Sequence, residues 1–149
     1  MKKIIVLVFS FFILLTLSGC HIKDTNGEDD FSLVELTDED FFKANSSSTT
    51  MSTRTQINNK VKIKVKKFSG VELLDSIYVK NKKLTIKLSS EVKSGNFKIV
   101  VIKDDEIIKV LNINEANQEF VIENANGEYL LKVAGESANF SIDYEINVN

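Results

Sequence analysis

From Ile57 onward the chain alternates apolar and polar positions. Val61, Ile63 and Val65 interleave with Lys62, Lys64 and Lys66, and Leu84, Ile86 and Leu88 with Thr85, Lys87 and Ser89. Near the end, Phe140, Ile142, Tyr144, Ile146 and Val148 interleave with Ser141, Asp143, Glu145 and Asn147. A period of two buries one face of a strand and wets the other. Further strands are predicted over 97–103, 106–113, 119–123 and 128–134, with 71–79 an irregular continuation of the first strand crossing between sheets. The turn signals between them are Ser94-Gly95-Asn96, Asp104-Asp105, residues 124–127 and Gly135-Glu136-Ser137. The pattern predicts an all-β, antiparallel β-sandwich of about seven strands over residues 57–149.

Two of these strands break the rule that outward positions are polar. If Phe97, Ile99 and Val101 face the core, Val100 and Ile102 face outward; if Tyr129, Leu131 and Val133 face the core, Leu130 faces outward. Val100, Ile102 and Leu130 are therefore expected to form one apolar patch, rimmed by Ser141, Asp143 and Glu145, and patches of this kind mark contact surfaces.

The first twenty residues follow another pattern. Lys2 and Lys3 precede an apolar run over 4–17, closed by Leu17-Ser18-Gly19-Cys20. The run is short for a membrane span of roughly 20 residues and has the flanks of an export signal. The closure resembles the lipobox of bacterial lipoproteins, a resemblance that implies thioether attachment of a diacylglycerol to Cys20 and cleavage just before it. Two acyl chains hold firmly, since each buried methylene contributes about 0.8 kcal/mol. The expected organisation is a signal peptide over 1–19, a lipidated Cys20 and tether over 20–56, and the sandwich over 57–149.

Cys20 is the only cysteine, so the exported part has no disulfide and rests on its core. A composition rich in Lys, Asn and Ile and without Pro or Trp resembles that of low-GC Gram-positive bacteria. The tether is acidic: residues 21–56 hold three basic side chains against eight acidic ones, whereas 57–149 hold fourteen lysines against thirteen acids. As a flexible coil the tether would span about 30 to 36 Å. Within it, residues 31–42 carry six large apolar side chains in twelve, and Thr37 is placed to cap a short helix through Phe41 and Phe42. The expectation is that this segment is covered, either by the domain, where it would lie on or compete for the Val100 patch, or by a partner.

Asn126-Gly127-Glu128-Tyr129 resembles the tyrosine corner of immunoglobulin-like and fibronectin-like domains, in which a tyrosine opening the penultimate strand bonds to backbone just upstream. Unlike antibody domains, the chain has neither paired cysteines nor a core tryptophan. As a whole it resembles small Gram-positive lipoproteins carrying one Ig-like sandwich, and that likeness implies no particular activity.

Candidate chemistry is sparse. His21 is the only histidine and adjoins the lipidated cysteine, which excludes a histidine triad and a multi-histidine metal site. Six glycines form no phosphate-binding loop. Asp104-Asp105-Glu106 reads as a solvated turn, because three adjacent carboxylates fall short of the six to eight oxygens that calcium takes. Lys60, Lys62, Lys64, Lys66 and Lys67 form a cationic row along the first strand, suited either to an anionic polymer or lipid headgroups or to guarding an edge strand. The expected function is a membrane-anchored, non-catalytic interaction module on the extracytoplasmic face of a bacterial cell. The alternative is an accessory envelope lipoprotein that binds an anionic cell-wall polymer or assists a neighbouring membrane protein. Expected partners are membrane lipid through Cys20 and a protein or envelope polymer; no enzyme activity, cofactor, metal or nucleic-acid partner is expected. Cys20→Ala is predicted to abolish metabolic labelling with a tagged fatty acid and to leave the precursor uncut; undiminished label would contradict the anchor.

Overall fold

A computed structural model describes residues 36–42 and 45–149. The signal segment, Cys20 and residues 31–35 lie outside the described residues. A short 3-10 helix, Asp38–Phe42, precedes five strands: β1 (Ser46–Ser48), β2 (Met51–Ile57), β3 (Lys60–Lys103), β4 (Glu106–Leu111) and β5 (Gln118–Val148). Every pairing is antiparallel.

β3 and β5 far exceed the usual strand of five to six residues because each is bent repeatedly and passes between two layers. In the first layer the order is β2, then 60–65 of β3, 139–148 of β5, 84–94 of β3 and 118–122 of β5. In the second it is β1, 70–82 of β3, 125–136 of β5, 96–102 of β3 and finally β4. Residues 71–79 thus continue the first strand into the opposite layer.

The corners fall where the backbone leaves the ordinary strand region. Lys67 and Gly70 (φ 51° and 116°) turn the first crossing of β3, Asn81 (φ 49°) the second and Gly95 (φ 79°) the third. Asn124 and Ser137 (φ 54° and 49°) do the same in β5. Asp104 and Asp105 both have positive φ (49° and 58°) and join Lys103 to its partner Glu106, the backbone of a two-residue hairpin turn, where aspartate tolerates the left-handed region.

The alternating apolar residues of both layers meet in one core. Val61, Ile63, Val65, Leu84, Ile86, Leu88, Phe140, Ile142 and Tyr144 come from the first layer, and Leu74, Ile77, Val79, Ile99, Val101, Leu111, Tyr129, Leu131 and Val133 from the second. Tyr129 is buried, and its hydroxyl accepts a hydrogen bond from the Asn126 N–H at 3.3 Å, which holds the start of its run to the preceding turn.

Two features differ from the sequence expectation. The sheet begins before residue 57: β1 and β2 lie in the Ser/Thr-rich stretch expected to be tether, and β2 pairs along its whole length with β3. It is exposed throughout, so its ladder rests on backbone hydrogen bonds and leaves no apolar alternation to read. The second concerns the rim: Ser141, Asp143 and Glu145 belong to the first layer, whereas Val100, Ile102 and Leu130 belong to the second, because β5 changes layer between them. Phe41 is fully buried and packs with Val100 and Ile102, so the domain itself covers this part of the segment, one of the two outcomes expected for it.

Gly70 is the tightest point of the framework, since a Cβ there would collide with the Ser46 carbonyl oxygen and its φ is one that side chains rarely adopt. Gly70→Ala is predicted to lower stability by about 1 to 3 kcal/mol in denaturant melts; an unchanged midpoint would contradict the corner.

Candidate functional site: a polar trough and a covered apolar face

Two depressions, of about 640 and 590 Å³, lie on the outward side of the first layer. The strand registers build their floor in rows. Thr53 stands opposite Lys64, Lys64 opposite Ser141, and Ser141 opposite Glu91. The next row is Thr55, Lys62, Asp143 and Ser89, and the next Ile57, Lys60, Glu145 and Lys87. With strands about 4.8 Å apart, each four-strand row is about 14 Å wide. Asn117 closes the far side of the larger depression, its N–H donating to the Ser89 hydroxyl at 2.9 Å.

The charges in the trough are partly tied down. Lys62 Nζ lies 2.7 Å from Asp143 Oδ2, and Lys60 Nζ 3.6 Å from Glu145 Oε2. Glu145 also accepts hydrogen bonds from the Asn147 and Asn59 amides at 3.0 and 3.1 Å. The Asn147 bond, ahead of the Lys60 charge, holds its carboxyl below the ordinary glutamate range. Lys93 lies 4.0 Å from Glu91. Lys64 and Lys66 have no ion-pair partner among the described residues. Across both depressions the lining lysines are Lys60, Lys62, Lys87, Lys64, Lys66 and Lys93, against Asp143, Glu145 and Glu91. Lys67, the last of the expected cationic row, is not in the lining; it sits at the corner, its N–H bonded to the Asn139 side chain at 3.0 Å.

The outward side of the second layer is built differently. Val100, Ile102, Val71 and Ala134 form a separate buried cluster with Phe41, and Leu36, Ile107 and Leu130 pack around it. Val100 and Ile102 are 0% and 2% exposed, so the outward apolar positions are covered by the strap of residues 36–42. Thr37 and Asp40 lock the strap's turn: the Thr37 N–H and hydroxyl donate to Asp40 Oδ2 at 2.8 and 3.0 Å, and the Asp40 N–H returns to the Thr37 carbonyl at 3.2 Å. This is one half of a capping box. Two lysines from the sheet hold the strap by its backbone. Lys132 donates to the Phe41 carbonyl at 3.0 Å, and Lys98 donates to the Leu36 carbonyl at 3.4 Å while pairing with Asp38 at 3.2 Å.

One open edge of the core carries a seam that the sequence did not announce. Arg54 of β2 donates to the Tyr144 hydroxyl at 3.1 Å and to the Leu74 carbonyl at 3.3 Å, and the Tyr144 hydroxyl lies 3.3 Å from the same carbonyl. Leu74 is the residue skipped where the register shifts between Leu73 and Asp75, which frees its carbonyl for this link between layers. Burial, more than any neighbouring charge, pushes the Tyr144 phenol above its ordinary range.

Among the described residues no group of three or more His, Cys, Asp or Glu side chains is placed to hold a metal ion, and no helix is long and apolar enough to cross a membrane. No family model matches the chain, and no curated protein matches it. A solved structure described as "CBM4 structure and function" aligns at 10% identity over 70% of this chain and 78% of its own, with a TM-score of 0.36.

Phe41→Ala is predicted to raise the rate of protease cleavage within residues 36–45 by about a hundredfold, since truncating a buried Phe commonly costs about 3 kcal/mol and the loss here falls on strap docking. Unchanged protection would contradict the packing of Phe41.

Proposed function

We propose that the protein is a membrane-anchored, non-catalytic interaction module on the outer face of a bacterial cell, and that the trough of the first layer is its contact surface. The observation that carries this reading is the contrast between the two outward faces. The strap closes the apolar face over Val71, Val100, Ile102 and Ala134, with Phe41 fully buried against them, whereas the trough lies open, its hydroxyls, amides and charges interspersed with apolar side chains such as Met51 and Ile57. Such a surface binds by hydrogen bonds and charge.

The membrane part of the proposal rests on Lys2, Lys3, the apolar run and Leu17-Ser18-Gly19-Cys20. Lipidation at Cys20 would hold the module at the cell surface, where the trough meets envelope components at high local concentration.

Photo-crosslinking in cells tests the reading. A photoreactive residue at Ser141, in the trough, is expected to give discrete envelope adducts that disappear when Cys20→Ala is combined with it. The same residue at Tyr78, exposed on the second layer, is expected to give none. Adducts from Tyr78 alone, or adducts indifferent to Cys20, would contradict the proposal.

A further inference from the structure

We propose that the trough binds a linear polyol phosphodiester, with Lys64 and Lys66 as the principal cationic contacts; the inference rests on the trough being the contact surface. The first argument is charge. Six lysines line the two depressions against three carboxylates; Glu119, opposite Lys87, adds a fourth acid just beyond the larger one. The surplus is concentrated at Lys64 and Lys66. Lys64 stands opposite Thr53 and Ser141, and Lys66 opposite Met51, so neither faces a carboxylate across its ladder. The acids that are present are engaged by Lys60, Lys62 and Lys93.

The second argument is spacing. Alternate residues of a strand recur at about 7 Å on one face, so Lys64 and Lys66 offer cations at that repeat, with Lys62, held by Asp143, next in line. Phosphates separated by a three-carbon polyol recur at about the same distance in an extended chain, so successive charges match successive lysines. Thr53, Thr55, Ser89 and Ser141 lie beside this row and supply donors and acceptors for the polyol hydroxyls.

The third argument is shape. The lysines lie in depressions, which a single polymer chain enters and a flat bilayer does not. Base stacking, which anchors single-stranded nucleic acid, has no platform here: the exposed aromatic residues among those described, Phe42 and Tyr78, are outside the trough.

The test uses the full lipidated chain in non-ionic detergent and a fluorescein-labelled oligomer of glycerol joined by phosphodiesters, followed by anisotropy. Binding is expected, weakening as salt is raised. Lys64→Glu combined with Lys66→Glu is expected to weaken it about tenfold or more, and Lys80→Glu combined with Lys82→Glu, equally exposed but outside the trough, less than about twofold. Circular dichroism melts of both double variants verify that each is folded. Equal losses in the two double variants would overturn the inference, as would competition by anionic lipid vesicles or a single-stranded oligonucleotide stronger than that of the unlabelled oligomer. Absence of oligomer binding, with trough crosslinks still formed in cells, would overturn the polymer assignment and leave the contact-surface reading standing.

Discussion

Three corners of the chain converge on three phenylalanines, and the two layers are held in place by that convergence. Phe68 lies between Lys67 and Gly70, Phe97 follows Gly95, and Phe140 follows the turn at Ser137. Phe97 and Phe140 stack at 4.1 Å between ring centres, and Phe68 meets them edge-on at 6.4 and 5.5 Å. Such geometries add about 0.5 to 1.5 kcal/mol per pair beyond the area they bury. Gly135 passes so close to Phe68 that a Cβ there would stand 2.7 Å from its ring. A chain that changes layer at each of these places can keep its apolar alternation inward only if the corners meet, and the aromatic cluster is where they do.

Once the inward faces are committed to the core, the two outward faces are left with different problems. The outer side of the first layer is mostly polar, with Met51, Ile57 and Val121 as exposed apolar side chains, and it stays uncovered by the strap. The second has Val100, Ile102 and Leu130 on its outer side, and the strap solves this by placing Phe41 over them while Lys98 and Lys132 hold its carbonyls. The outer face of the first layer is thereby left as the open one, with six lysines against three carboxylates in its depressions. The same strand, β5, serves both faces because it crosses between layers.

Much of this was legible in the residues, through period-two alternation over 60–66, 84–88 and 140–148, the two-residue turn at Asp104-Asp105 and the misplaced apolar side chains at Val100 and Ile102. The edge strands were not legible. β1 and β2 bury almost nothing, and Ser, Thr and Asn in an exposed ladder look like linker. The trough was half legible: alternation tells which lysines point outward, but the rows joining Thr55, Lys62, Asp143 and Ser89 depend on register across long stretches of chain. The same limit misplaced the polar rim: 128–134 and 140–148 read as two strands parted by the turn at Gly135-Glu136-Ser137, and nothing local says that the second lies in the other layer. The seam through Arg54, Tyr144 and Leu74 depends on a bulge that leaves no local signature.

The central claim is that one outward face is open and the other closed by the chain itself. Thiol accessibility in the full chain measures this directly, with single cysteines placed at Thr53 in the trough and at Ala134 beneath the strap, and Cys20 replaced by alanine. The account predicts rapid modification of Thr53→Cys by a polar maleimide and strong protection of Ala134→Cys until the protein is unfolded. Modification of both at the same rate in the native protein would contradict it.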